Sequence, residues 1–213
     1  MFDEIANIAA FLLEIKAVKF QPQEPFTWAS GWKSPVYCDN RLTLSYPALR
    51  SMVCDALVEL VQKRFPDADG IAGVATAGIP QGVLVADRLN LPFLYIRSAP
   101  KSHGLTNQVE GRIESGKRYV VVEDLISTGG SSIKAVEALR REGGTVEGVA
   151  AVFNYGFPHA DEAFSNASCP FAALLNLDIL LEKANEIHYI QPAEMEVIRE
   201  WRKDPQAWTD QRA

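Results

Sequence analysis

Two adjacent acids followed by a hydroxyl- and glycine-rich turn are the residues best suited to chemistry: Glu123-Asp124, then Leu125-Ile126, then Ser127-Thr-Gly-Gly-Ser131. Carboxylates accept hydrogen bonds from sugar hydroxyls. A Ser-Thr-Gly-Gly-Ser turn at the head of a helix suits a phosphate, because the first backbone N–H groups of a helix lack intrahelical partners and sit at the positive end of its dipole. Together the two features make a seat for a ribose 5-phosphate. The competing reading is a serine-capped helix after an ordinary strand. It explains the serine but not two like charges closing a buried strand, where desolvation is costly unless something pairs with them.

The elements that must hold this turn follow from hydropathy. The β-branched run Val120 to Val122 predicts a buried strand that ends at the acids, and from Ser131 the stripe Ile133, Val136 and Leu139 predicts a helix that stops at Gly143-Gly144. The same strand, turn and helix appear earlier. Ile71 to Ala75 is an apolar run, Thr76-Ala-Gly-Ile-Pro80 a turn, and Val83, Val85, Ala86 and Leu89 a helical stripe. Leu91 to Arg97 and Thr145 to Phe153 are further strands, with crossovers long enough for parallel pairing. A doubly wound, mainly parallel α/β sheet flanked by helices follows. Such sheets bind ligands at the carboxyl ends of their strands, where Thr76 to Pro80, Arg97, Glu123 to Ser131 and Asn154-Tyr155 all fall.

Around this core, residues 3 to 15 form an amphipathic opening helix, and a second helix runs from Tyr46-Pro47 to a stop at Pro66. Between them, Phe26 to Arg41 collects aromatics, a glycine and a proline in what reads as two short strands around a turn. It is either a hairpin whose tryptophans cover the core or a hood over a flat substrate. After the last core strand come a polar patch with His159, an edge strand at Phe171 to Leu175, and helices at Leu177 to Lys183 and Pro192 to Lys203. One domain over residues 1–213 is expected: a hood mainly in 1–45, a core in about 46–175 and C-terminal helices in 176–213.

Ser98 to Lys117 shows no apolar period, and so long a loop is expected to be a functional lid, a disordered segment or a solvated loop with ordinary surface charges. From Arg97 to Arg118 there are five basic residues, Arg97, Lys101, Arg112, Lys117 and Arg118, against Glu110 and Glu114, a local excess of positive charge. The whole chain is acidic, with 21 basic and 27 acidic residues and a formal charge of -6, which argues against non-specific binding to nucleic acid or membranes. An anionic substrate needs such a local cluster. Three scattered cysteines without zinc or disulfide spacing, an acidic amino terminus and the lack of a long apolar run point to a cytoplasmic protein.

Gly111 to Arg118 imitates a phosphate-binding Walker loop, but Arg118 stands where a magnesium-binding serine or threonine belongs and the segment precedes a strand. No dinucleotide-binding glycine pattern follows any predicted strand. His159 and His188 have no partner at telling spacing and read as surface or packing residues.

The strand, acid pair and turn of 118–132 resemble the phosphoribosyl diphosphate (PRPP) motif of the type I phosphoribosyltransferases. Phe26-Thr-Trp-Ala-Ser-Gly-Trp-Lys-Ser-Pro-Val-Tyr37, with Arg97, Lys101, His103 and Gly104, resembles the orotate phosphoribosyltransferases in particular, and the likeness covers nearly the whole chain. It implies transfer of the 5-phosphoribosyl group from PRPP to orotate, with orotidine 5-monophosphate and diphosphate as products. It also implies magnesium held mainly through PRPP and water, without a direct protein ligand. PRPP would be bound by Glu123, Asp124, Leu125, Ile126 and the turn Ser127, Thr128, Gly129, Gly130 and Ser131. Thr76, Ala77 and Gly78 would face the diphosphate, which Arg97, Lys101 and His103 would neutralise. Lys101, His103 and Asp124 would be the catalytic groups. Orotate would lie under the hood near Tyr37, Cys38, Ser127 and Tyr155. The loop with Lys101 and His103 would be shared across a homodimer. Four positions depart from the family pattern, with Ala29, Ala77, Ser98 and Tyr155 where cations are common; Lys33, Arg41 and Arg112 are the candidates to replace them. Two other readings remain, a PRPP-binding regulator without catalysis and a transferase for another base.

Overall fold

The computed structural model describes residues 2–99 and 107–212. The first helix, α1 (Phe2–Glu14), buries Ile8, Ala9, Leu12 and Leu13 along one face. The hood is more finely divided than two strands around a turn. β1 (Val18–Phe20) pairs antiparallel with β4 (Val36–Cys38), while β2 (Phe26–Thr27) pairs with β3 (Lys33–Ser34). A three-residue strand such as β1 is too short to show an alternation in the sequence. A 3-10 turn over Asn40–Ser45 then leads into α2 (Pro47–Arg64), whose first residue is the proline that suits a helix start.

The large sheet contains β5 (Gly70–Val74), β6 (Phe93–Ile96), β7 (Val109–Glu110), β8 (Arg118–Ile126), β9 (Thr145–Asn154) and β10 (Phe171–Asn176). Their order is β10-β9-β8-β5-β6-β7, parallel throughout except for β7 on the edge. α3 (Gly78–Leu89), α4 (Gly130–Arg141), α5 (Pro158–Asn166) and α6 (Leu177–Glu186) connect or follow these strands, and α7 (Pro192–Lys203) and α8 (Pro205–Asp210) close the chain. The doubly wound sheet inferred from the sequence is therefore present.

Alternation along β8 divides the apolar interior. Val120 and Val122 join a core with α1, α2, α6 and α7, whereas Tyr119 and Val121 join one with α4 and α5. Several boundaries differ from expectation. β8 does not stop at the acids but continues to Ile126, because β9 supplies partners to its end, Glu123 opposite Ala151 and Ile126 opposite Asn154. β7 lies inside the segment expected to be loop, and α5 replaces the polar patch around His159. The α5 pattern is faint because only Ala160 and Phe164 are buried.

α3 begins at Gly78, within the expected turn, and glycine is required there. A Cβ on Gly78 would collide with the Val122 carbonyl oxygen, so the helix can approach β8 only without a side chain. That approach sets Thr76-Ala77 beside Glu123. The chain leaves β5 toward β6 on one side and returns to β8 on the other, so the β5/β8 pair is the topological switch of the sheet. Ligands of open α/β sheets bind in the crevice outside such a switch.

Candidate active site

A cavity of about 250 Å³ opens at that crevice, lined by Val74 to Ala77 at the end of β5, by Glu123, Asp124 and Leu125 from β8, by Ser131 from the first turn of α4, and by Cys38, Asp39 and Arg41 from the hood. A second, of about 290 Å³, lies under the hood between Thr27, Trp28, Ala29, Tyr37, Cys38, Leu125, Ser127 and Tyr155. Cys38 and Leu125 line both. One cavity thus has acids and a helix-opening turn, and the other has aromatic walls.

Glu123 is 5% exposed. Its Oε2 accepts a hydrogen bond from Ser132 Oγ at 3.2 Å, and its Oε1 accepts one from the Asp124 backbone N–H at 3.1 Å. Burial, reinforced by the neighbouring Asp124 charge, pushes the Glu123 carboxyl far above the usual carboxylate range. Burial raises Asp124 as well. Burial thus favours the protonated form of Glu123 and opposes two full negative charges on the pair. The turn that follows reaches α4 through Gly129, whose φ of +80° is left-handed backbone that glycine adopts without strain. Gly130 is the first residue of α4, so Gly130, Ser131 and Ser132 supply the unpaired N–H groups of its first turn.

The hood is tied to this site by one long-range hydrogen bond. Asn40 is 1% exposed, and its Nδ2 donates to the Asp124 carbonyl at 2.7 Å. Its own carbonyl accepts from Thr43 Oγ1 at 2.6 Å, and Thr43 Oγ1 accepts from Gln81 Nε2 at 3.3 Å. The hood turn, α3 and β8 are thereby held together. The tryptophans satisfy both readings of the hood. Trp28 lines the second cavity and also packs on Tyr155, Phe157 and Trp201, at ring separations of 5.0, 6.3 and 5.7 Å. Trp201 Nε1 donates to the Lys33 carbonyl at 3.1 Å, fixing β3 to α7.

The residues singled out in the sequence separate by where the structure places them. Thr76, Ala77, Glu123, Asp124, Leu125 and Ser131 meet at the first cavity, and Tyr37, Cys38, Ser127 and Tyr155 at the second. Thr128, Gly129 and Gly130 form the connecting turn without lining either. Ile126 and Gly78 do not offer side-chain contacts. The Ile126 side chain is buried against α4, and Gly78 is enclosed by β8, so each reaches a ligand only through backbone. Tyr155, 2% exposed and stacked on Phe157 at 5.5 Å, is a wall and not a source of charge, since burial holds its phenol well above its ordinary pKa. Burial, with Asp124 and Asp39 nearby, likewise keeps the Cys38 thiol neutral.

Arg97 lines neither cavity. Its guanidinium is 3.7 Å from Glu110, and its backbone exchanges hydrogen bonds with Gln108 at 2.9 and 2.7 Å. Glu142 accepts from the Gln108 and Val109 N–H groups at 2.7 and 3.2 Å. The two ends of the basic loop are thus pinned together. Lys101 and His103 lie outside the described residues. Asn40, Ser132 and the Gln108–Glu142 clamp were not read from the sequence; the polar run Asp39-Asn40-Arg41 closing an aromatic segment was the available signal for the first.

A phosphoribosyl transferase domain model matches residues 51–170. The chain is 58% identical to the orotate phosphoribosyltransferase of Bacteroides thetaiotaomicron over 197 residues, 92% of this chain and 93% of that one. Among solved structures, the orotate phosphoribosyltransferase of Aeropyrum pernix superposes with a TM-score of 0.75 at 33% identity, covering 84% of this chain and 98% of that one. The orotate phosphoribosyltransferase of Mycobacterium tuberculosis in complex with PRPP gives a TM-score of 0.64 at 23% identity over 83% of this chain and 98% of that one, a likeness of fold.

Proposed function

The chain belongs to the orotate phosphoribosyltransferase family, and from that membership we infer that it transfers the 5-phosphoribosyl group of PRPP to orotate, giving orotidine 5-monophosphate and diphosphate in pyrimidine biosynthesis. The observation that carries this reading is the pair of cavities meeting at Cys38 and Leu125. A ribose phosphate at Asp124 and Ser131 then presents its C1 toward a flat base between Trp28, Tyr37 and Tyr155.

In the reaction, the bond from C1 to the diphosphate oxygen breaks with its electron pair leaving on diphosphate. Orotate N1 gives a pair to C1, and its proton passes to a diphosphate oxygen or to water. Positive charge grows on the sugar and negative charge on the leaving group, so preorganised charge is the main source of rate. Asp124 faces the sugar, the turn Ser127 to Ser131 holds the 5-phosphate, and Lys101 and His103 meet the departing diphosphate. The Asp124 carboxylate on the first cavity is a hard oxygen donor that fits the water shell of magnesium held through PRPP. Magnesium, when bound, would neutralise leaving-group charge. The loop bearing Lys101 and His103 serves the site of a second subunit in a homodimer, and the three free cysteines support a cytoplasmic location.

The test offers PRPP and magnesium with orotate, adenine, hypoxanthine or uracil in parallel while each base is followed by its ultraviolet absorbance. Loss of orotate alone is expected. Loss of another base, or bound PRPP with no base consumed, would replace the reading with a different transferase or with a regulator.

A further inference from the structure

We propose that Arg41 is a diphosphate-binding residue that meets the leaving group from the hood side of the cavity. The inference rests on the transferase reading of this site. Among the described residues lining the first cavity, three are acids, Asp39, Glu123 and Asp124, and Arg41 is the one cation. Thr76 and Ala77 contribute backbone and a single hydroxyl. A ribose 5-phosphate seated at Asp124 and Ser131 leaves its C1 substituent toward the part of the cavity formed by Arg41, Thr76 and Ala77. A diphosphate there requires positive charge, and among these residues only Arg41 supplies it.

The arginine is already held in place. Its Nε donates to Asp39 Oδ1 at 2.6 Å and its Nη2 to Asp39 Oδ2 at 2.8 Å, while its backbone N–H donates to the same Oδ1 at 3.1 Å. Asp39 is itself fixed through its N–H, which donates to the Ala17 carbonyl at 2.8 Å. Nη1 has no hydrogen-bond partner among the described residues. The Arg41 side chain is 61% exposed against 18% for Asp39, so the guanidinium stays open to a ligand while the acid that orients it does not. A planar fork fixed beforehand loses little freedom on accepting an anion. The other candidate cations are elsewhere: Lys33 Nζ donates to Thr27 Oγ1 at 2.9 Å, Arg97 faces Glu110, and Arg112 lines neither cavity.

Calorimetric titration of wild type, Arg41→Ala and Arg41→Lys with diphosphate, ribose 5-phosphate and orotate, all with magnesium, separates this role from a structural one. In Arg41→Ala the affinity for diphosphate should fall about tenfold to a hundredfold, the effect of losing a charge-assisted hydrogen bond, with KM for PRPP rising in step. Affinity for ribose 5-phosphate and orotate should stay within about twofold, and Arg41→Lys should recover part of the diphosphate loss. Unchanged diphosphate affinity in Arg41→Ala overturns the assignment, and so does an equal fall for all three ligands. A wild-type protein that consumes no orotate would instead sink the transferase reading itself, independently of Arg41.

Discussion

A carboxylic acid buried within a strand makes stability depend on pH in an unusual direction. Glu123 has its pKa raised by desolvation first and by the Asp124 charge second. The folded state therefore holds a proton that the unfolded chain releases near pH 4 to 5. Where the native state binds more protons than the unfolded state, stability falls as pH rises, by about 1.4 kcal/mol for each unit the folded pKa lies above the unfolded one. This loss begins above the ordinary glutamate pKa, whereas Asp39 and Asp69, whose pKa values are lowered by hydrogen bonds from Arg41 and Arg118, contribute stability that disappears only in more acidic solution. Glu123→Gln should flatten the decline of the unfolding midpoint between about pH 5 and pH 8 and raise stability at pH 8 by at least about 1 kcal/mol. Parallel melting curves for the two proteins across that range would refute the burial argument. The acid pair was legible in the sequence because two charges interrupting a β-branched run conflict with burial. Ser132 and Asn40, which hold that pair in place, were not. Each acts through one hydrogen bond, and that of Asn40 spans 84 positions, so no local pattern records it.

The hood works as an element only because the end of the chain supports it. Lys33 N–H donates to Thr209 Oγ1 at 2.9 Å, Trp32 Nε1 to Gln206 Oε1 at 2.8 Å, and Trp201 Nε1 to the Lys33 carbonyl at 3.1 Å, so α7 and α8 carry β2 and β3. Trp201→Phe keeps an aromatic ring but removes one donor from a partly buried carbonyl. It should lower stability by about 1–2 kcal/mol and, under the proposed placement of the base beneath the hood, raise KM for orotate more than KM for PRPP. Equal changes in both constants would show that the hood positions the whole site and not the base alone. On the opposite side, Gly78→Ala forces a Cβ against the Val122 carbonyl, a backbone atom that cannot swing aside. The start of α3 must retreat, and with it Thr76-Ala77. A fall in melting temperature accompanied by weaker diphosphate binding is expected, while wild-type affinity for diphosphate would separate the turn from the helix start. The large strands and helices were readable because their apolar periods run for many residues. β7, with two residues, and α8, with Pro205 and Trp208 as its buried positions, offer too little repetition, and α3 reaches into its preceding turn because a glycine allows it.

The assembled molecule places the acids, the helix-opening turn and the aromatic-walled cavity on one rim, while the segment that carries Lys101 and His103 in the sequence is anchored at its two ends by Arg97 and Gln108. Arg97 and Gln108 hydrogen-bond to each other, and Glu142 of the segment after α4 holds Gln108 and Val109. The loop consequently starts and ends at one point on the β6-β7 edge, displaced from the β5/β8 switch where the cavity opens. If the loop serves a catalytic site of a two-fold dimer, it serves either its own or that of the neighbouring copy, and the two arrangements predict different behaviour for mixed dimers. Lys101→Ala should lower kcat by about a hundredfold or more if the ammonium meets charge that develops in the transition state, and Asp124→Asn should disable the ribose seat. When the two inactive proteins are mixed in equal amounts and allowed to exchange subunits, half the dimers combine one of each. If the loop crosses the interface, one site in every mixed dimer pairs an intact Lys101 with an intact Asp124, and activity should recover to about a quarter of the wild-type value. If each loop closes on its own subunit, both sites of every mixed dimer carry one defect, and the mixture stays at the level of the separate variants.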